Sequence, residues 1–390
     1  MQTTSLKPED VPSQMDGILR PNEAQDGRFD AYLPSPCFQN HASSLAFLAD
    51  GTLTCVWFGG TMEGMGDISI YMSRLAPGAT QWSEPEKMSD DPAKSEQNPL
   101  IFNAPDGRVW LLYTSQTSGD QDTAVVKARI SEDGGKTFAQ PFILSDLPGI
   151  FIRQRIVVNA NGDWLLPSFR CGSIPGQRWS GSADTAGVLI SRDGGKSWTY
   201  SEIDNTLGAV HMNILPLDSD RMIGFFRDRY ARHVLSSAST DKGLTWSTPQ
   251  PIELPNNNSS IQATGLADGR IAMVYNHSNV DSDSARRQSL YDEIDSDKAP
   301  VAQTGTAAVW GVPRAPLSLS VSANQGASFE RRLDLDTGDG YCLSNNSKDM
   351  LNREFSYPSI AQGADGTLHV TYTYYRRAIK YVRLPLVAIG

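Results

Sequence analysis

Runs of β-branched and aromatic residues alternate along the chain with short polar breaks, and the breaks recur in a fixed form. In Leu48-Ala-Asp-Gly-Thr-Leu-Thr-Cys-Val-Trp57, the pair Asp50-Gly51 separates two β-type runs. Such a pair supplies the positive φ angles that a tight hairpin needs. The same mark falls at Asp106-Gly107, Asn161-Gly162, Asp218-Ser219, Asp268-Gly269 and Asp365-Gly366. The first five are roughly 50 to 57 residues apart, the length of a four-stranded sheet with its connections. The last interval is longer, and its excess lies in the polar, acidic stretch from Ser278 to Thr306.

A second repeat is independent of the first. Ser191-Arg-Asp-Gly-Gly-Lys-Ser-Trp198 has relatives at Ser131 to Phe138, Ser239 to Trp246 and, with Asn in place of Asp, Ser322 to Phe329; a worn copy lies near Ser73 to Trp82. Each clear copy follows a β-type run. The pattern predicts a hairpin turn in which Asp or Asn accepts backbone N–H bonds, Gly takes a positive φ and the aromatic covers the turn. These repeats resemble the Asp-box, or BNR repeat, of sialidase-like β-propellers.

Together the marks predict an all-β chain folded as one six-bladed β-propeller with Asp-box hairpins, its blades starting near His41, Gln97, Arg153, Val210, Ser260 and Glu354. The sixth blade is short of a strand. Residues 1–36 are expected to supply it through the segment around Phe29 to Leu33, with 37–390 forming the propeller and an insertion at about 278–316. A seventh blade hidden in the long interval is the alternative.

Composition narrows the function classes. The 390-residue chain carries a net charge of −10 and a pI near 5.0, which argues against nucleic-acid or anionic-membrane partners while leaving room for a local basic pocket. The first residues lack the apolar run of a secretory signal, and no stretch approaches a membrane span, so a cytoplasmic location is the default. Cys37, Cys55, Cys171 and Cys342 are scattered without CxxC spacing. Free thiols are expected, with no metal and no cofactor.

If the four strands of each blade alternate in direction, both kinds of repeated turn lie on one face. The irregular loops lie on the other, where chemistry can vary. The second face collects His41, Glu63, Asp67, Asn98, Arg155, His211, Arg227, Tyr275, His277, Arg314, Glu354, Tyr357 and Tyr372. Arginines converging on an axial mouth suit an anion, because the guanidinium fork matches a carboxylate. Each residue also has a plain structural reading: Arg155 and Arg227 as loop braces, the histidines as hydrogen-bonders, the tyrosines as core, and Glu63 and Asp67 as ties for the glycine-rich loop from Gly59 to Asp67.

Asn40-His-Ala-Ser43, Trp57 to Gly64, Gln97-Asn-Pro99, Val274-Tyr-Asn-His277, Arg314-Ala-Pro-Leu317 and Glu354-Phe-Ser-Tyr-Pro358 with Val370-Thr-Tyr-Thr373 resemble the sialidase-related BNR-repeat proteins of bacteria and fungi. The resemblance implies an exo-acting glycoside hydrolase cleaving a terminal residue of an acidic oligosaccharide. Sialidases use an arginine triad for the substrate carboxylate, a tyrosine nucleophile assisted by glutamate, and an aspartate as acid/base. Carried onto this chain, the pattern gives Tyr357 or Tyr372 as nucleophile, Glu354 as its base, Asp67 or Glu63 as acid, and Arg155, Arg227 and Arg314 on the carboxylate. The chain departs from it in lacking the Arg-Ile-Pro of the first blade, where Asn40-His41 stands instead. Two alternatives stay open: a polysaccharide lyase splitting a bond next to a uronate, with His41, His277 and Tyr275 as proton carriers, and a glycan-binding propeller without catalysis. Asn98 and His211 are assigned to substrate binding, with Arg155, Arg227 and Arg314.

Overall fold

The computed structural model describes residues 6–173, 177–282, 285–287, 290–294 and 307–390. Much of the insertion expected at about 278–316 lies outside these residues. Among the described residues six antiparallel sheets follow one another around an axis, a six-bladed β-propeller. The innermost strands are Gln39–Phe47, Lys94–Asn103, the split pair Ile150–Ile152 and Val157–Val158, Ala209–Pro216, Gln262–Gly265 and Phe355–Gln362. Each Asp-Gly mark joins an inner strand to the next one out. At the first, Asp50 Oδ1 accepts from Thr52 N at 2.9 Å while Leu48 and Thr52 close the turn.

The second repeat stitches neighbouring blades together. In the copy at Ser191, Asp193 accepts from Ser191 Oγ, Ser197 N and Ser197 Oγ, and Gly195 N donates to Ser191 Oγ at 2.8 Å. Gly195 has φ +86°, and a Cβ there would meet Trp164 at 2.7 Å and Trp110 at 2.8 Å. Only glycine fits, since the turn is pressed onto the preceding blade. Arg108, beside the preceding blade's Asp106-Gly107 turn, donates to Gly194 O. Likewise Lys242, in the copy at Ser239, reaches Asn161 Oδ1 at 2.9 Å. Both sets of turns therefore share one face, and the other face is left to irregular loops.

The ring closes through two ends of the chain. Phe29–Tyr32 pairs antiparallel with Ala378–Leu384, the third strand of the sixth blade, and Arg20–Pro21 adds outside it. Just upstream, Ile18 bridges Gln81 and Trp82 N donates to Gly17 O, so the same segment also grips the first blade. A buried charge cluster fixes this seam. Lys380 Nζ lies 2.8 Å from Asp336 and 3.3 Å from Asp30, and Arg28 holds Asp30 at 2.7 Å. Burial disfavours the Lys380 ammonium, but Asp336 and Asp30 outweigh it and raise its pKa.

Removing the ammonium would leave the buried Asp336 carboxylate without its cation, while Asp30 keeps Arg28, and stranding one charge is more damaging than never having had the pair. Lys380→Met is expected to lower stability by about 3 kcal/mol or more, read as a lower urea midpoint. Arg20→Ala, which breaks an exposed pair with Asp16, should leave the midpoint nearly unchanged.

Candidate functional site

Inner strands narrow toward the axis, and at the loop face their ladders break at matching positions. Register shifts lie between His41 and Ser44, Gln97 and Leu100, Val210 and Asn213, and Ser356 and Ser359. Within them Ala42, Asn98, His211 and Tyr357 have φ of 58°, 49°, 55° and 52°. In the third blade the ladder is interrupted between Ile152 and Val157, and in the fifth Asn258 (φ 56°) precedes the strand. A bulge re-aims side chains that a regular strand would alternate. Five such breaks, with the Asn258 turn ahead of the fifth blade's strand, bring side chains toward one end of the ring.

Tyr357 is the hub. It is 7% exposed, and its hydroxyl accepts from Arg227 Nη1 at 2.6 Å. The guanidinium groups of Arg153, Arg314 and Arg227 lie 5.3, 5.6 and 5.7 Å from its ring centre. His41 packs on it at 4.3 Å and His211 edge-on at 5.7 Å. Arg153 reaches across the axis from the third blade, donating to the backbone oxygens of Ser43, Tyr357 and Pro358. Below it Gln154, Gln262 and Ser359 hydrogen-bond one another and close a polar floor.

The arginines fall into two electrostatic classes. Glu354 takes Arg314 at 3.3 Å and Arg376 at 3.0 Å, and Arg376 also binds Glu63 at 2.5 Å, making a buried ladder. Burial disfavours these cations, yet Glu354 raises the pKa of both. Glu354 shows the converse: burial pushes its pKa up, but Arg376 and Arg314 hold it below the usual value. Arg153 and Arg227 make no ion pair among the described residues. Burial lowers their pKa values to about 10 and about 9. Arg153 Nη1 and Arg227 Nη2 are buried without a hydrogen-bond partner among the described residues. An anion would supply what they lack.

Several expected site residues sit elsewhere or are otherwise engaged, and for Tyr372, Tyr275 and His277 the reason is shared. Strand side chains alternate between faces. Thr373 Oγ1 meets His41 Nδ1 at 2.8 Å, so its neighbour Tyr372 points away, and the Tyr372 hydroxyl donates to Asp336 in the seam cluster. Asn276 donates to Phe355 O, so Tyr275 and His277 face outward, bonded to each other at 2.8 Å, with Tyr275 packed between blades four and five. Asp67 is exposed and ties Thr61, closing its own loop. Arg155 binds Ser359 and Ile360 in the floor, and it is Arg153 that faces Tyr357. Glu354 is committed to two arginines and to Ser356 (2.9 Å) rather than to the Tyr357 hydroxyl. Glu63 is committed to Arg376. Asn98 is buried at the second blade's bulge. Sequence reasoning put Arg153 at a blade start without assigning it to the site, and passed over Arg376. Arg376 lies in the sixth blade's hairpin between its second and third strands, the same loop class as Glu63, and that position was the available signal.

The family model for the BNR repeat-like domain matches residues 51–370. No curated protein matches the sequence. Among solved structures, a Hadza microbial sialidase superposes with a TM-score of 0.65 at 14% identity, covering 91% of this chain and 67% of its own. A protein of unknown function from Dyadobacter fermentans gives 0.66 at 15%, covering 92% and 99%. The intramolecular trans-sialidase of Ruminococcus gnavus, in complex with oseltamivir carboxylate, gives 0.61 at 14%, covering 90% and 95%. At these identities the likeness is one of fold.

His41 and His211 are buried, and burial followed by the surrounding arginines lowers both pKa values well below the ordinary one. Unfolded, each imidazole takes a proton at about pH 6.5; folded, it does so only at much lower pH. Their contribution is therefore intact above about pH 6.5 and is lost as the pH falls below it. His41→Gln should flatten the decline in unfolding free energy between about pH 7 and about pH 5, measured by urea titration at each pH.

Proposed function

Because the chain belongs to the BNR repeat-like family and carries a sialidase-like propeller, we propose that it is an exo-acting glycosidase that removes a terminal residue from a carboxylate-bearing glycan. The observation behind this reading is the pair Arg153 and Arg227, two buried guanidinium groups against the Tyr357 ring without an acidic partner among the described residues. A substrate carboxylate seated on them would lie beside the Tyr357 hydroxyl. A neutral phenol suits attack on a carbon next to a carboxylate, where an anionic nucleophile would be repelled. In this scheme Tyr357 Oη bonds to the anomeric carbon, the bond to the leaving oxygen breaks, and water later releases the sugar.

A β-eliminating lyase is the second reading. What favours it is that Glu354 and Glu63 are tied up in the ion ladder, while His41 Nε2 and His211 Nδ1 are unpartnered among the described residues. Arginine would then neutralise a uronate, and Tyr357 with a histidine would move the protons. The products separate the two. Incubating acidic oligosaccharides in heavy-oxygen water should place the label in the released sugar of a hydrolase. A lyase leaves an unlabelled unsaturated uronate with ultraviolet absorbance.

Two variants test the assignment. Tyr357→Phe should abolish turnover while acidic sugars still bind. Arg227→Lys keeps the charge but loses the planar fork, and should weaken an acidic ligand by about 1–3 kcal/mol, with a smaller loss for a neutral analogue. Equal losses for both in calorimetric titrations would assign Arg227 to the scaffold instead.

A further inference from the structure

Neither carboxylate near Tyr357 is free to move a proton, so the group that does so must be sought among the imidazoles. His41 is fully buried, with Nδ1 held by Thr373 and 4.0 Å from Glu354, and with Nε2 unpartnered among the described residues. His211 has no carboxylate within ion-pair distance among the described residues. It sits at the bulge of the fourth inner strand, 4% exposed, packed on Phe169 at 5.0 Å and on the edge of Tyr357, and its Nδ1 is unpartnered among the described residues.

The charges facing His211 come from four places and are cationic: Arg227 on its own blade, Arg229 in the loop after it, Arg153 from the third blade and Arg314 ahead of the fifth blade's third strand. Asp184 cancels Arg229 at 2.6 Å, and Glu354 cancels Arg314 at 3.3 Å. Nothing among the described residues cancels Arg153 or Arg227. Burial and these cations keep the ring neutral in the free protein. The two arginines that would bind a substrate carboxylate are thus among the cations that, after burial, suppress the imidazole.

We propose that His211 is the proton-transferring residue of this site and that the carboxylate of the substrate switches it on by neutralising Arg153 and Arg227. The inference rests on the acidic-sugar reading above and deepens it. With the carboxylate seated, a protonated imidazole is no longer opposed by two uncompensated charges. His211 then takes the proton that Tyr357 Oη loses as the oxygen–carbon bond forms, while the leaving oxygen, displaced from the opposite face of the anomeric carbon, takes a proton from solvent water and leaves hydroxide there. In the second half, water attacks that carbon and gives its extra proton to the hydroxide, the bond to Oη breaks, and His211 returns the proton it holds to Oη. One water is consumed overall and His211 ends neutral. A neutral sugar that fitted the mouth would bind without activating the relay, so selectivity for acidic sugars would lie in turnover as well as in binding.

The test uses the full chain and two probes, D-glucuronate and N-acetylneuraminate. Histidine-labelled protein is titrated by NMR, with His211 assigned from His211→Gln. Bound acidic sugar is expected to raise the His211 pKa by about one pH unit or more. Calorimetry in buffers of different ionisation heat should show proton uptake on binding that disappears in His211→Gln. Arg227→Gln, which needs neither ligand nor a folded His211 variant, should raise the same pKa without sugar. An unmoved pKa in the sugar complex, or uptake unchanged in His211→Gln, overturns the inference and leaves the acidic-sugar reading standing. If neither sugar binds, that reading fails together with the carboxylate switch. The Arg227→Gln titration then shows whether the arginines suppress His211 at all; an unmoved pKa there also removes the electrostatic basis of the switch.

Discussion

The mouth of this propeller depends on how a single buried carboxylate is shared. Glu354 stands between Arg314 and Arg376, and Arg376 passes the compensation on to Glu63. Four guanidinium groups gather near Tyr357 in a medium where unscreened charge is costly. The ladder neutralises two of them and ties the first blade's glycine-rich loop to the fifth and sixth blades. Arg153 and Arg227 are left out of it, and their cationic forms are correspondingly destabilised. The pattern of compensation, more than the number of arginines, separates scaffold from ligand site.

That site is set on a rigid support. Arg153 hydrogen-bonds backbone across the axis, and Gln154, Gln262 and Ser359 satisfy one another beneath it. The buried cluster of Lys380, Asp336, Asp30 and Arg28 holds the first and last strands together at the seam. Ring closure and site geometry are coupled, because Tyr357, Glu354 and Arg376 all belong to the blade that the seam completes. A functional site held this way needs little reorganisation when a ligand arrives.

Part of the strained backbone lies where the chemistry is expected. Ala42, Asn98, His211 and Tyr357 adopt positive φ at the bulges, a conformation that non-glycine residues seldom take without support from their surroundings. The bulge places His211 and Tyr357, from blades two steps apart in the ring, edge to ring at 5.7 Å. Regular pairing would have alternated these side chains into the spaces between blades.

The sequence by itself determined the repeat. Asp-Gly pairs at near-constant spacing and the Ser-x-Asp-x-Gly-x-Ser/Thr-aromatic turns report on local backbone geometry, and local geometry is written in neighbouring residues. They were enough for an all-β ring and pointed to six blades, with a seventh left open; the six sheets among the described residues came from the structure. Tertiary structure alone decided which side chains meet. Tyr372 and Tyr275 differ from Thr373 and Asn276 only by strand parity. Arg153 differs from Arg155 only by a break in the ladder that no local pattern announces. Whether an arginine is cancelled depends on a carboxylate that is far away in sequence, as Glu63 is from Arg376. Register, bulges and charge compensation arise from contacts between blades, and those contacts exist only once the ring has closed.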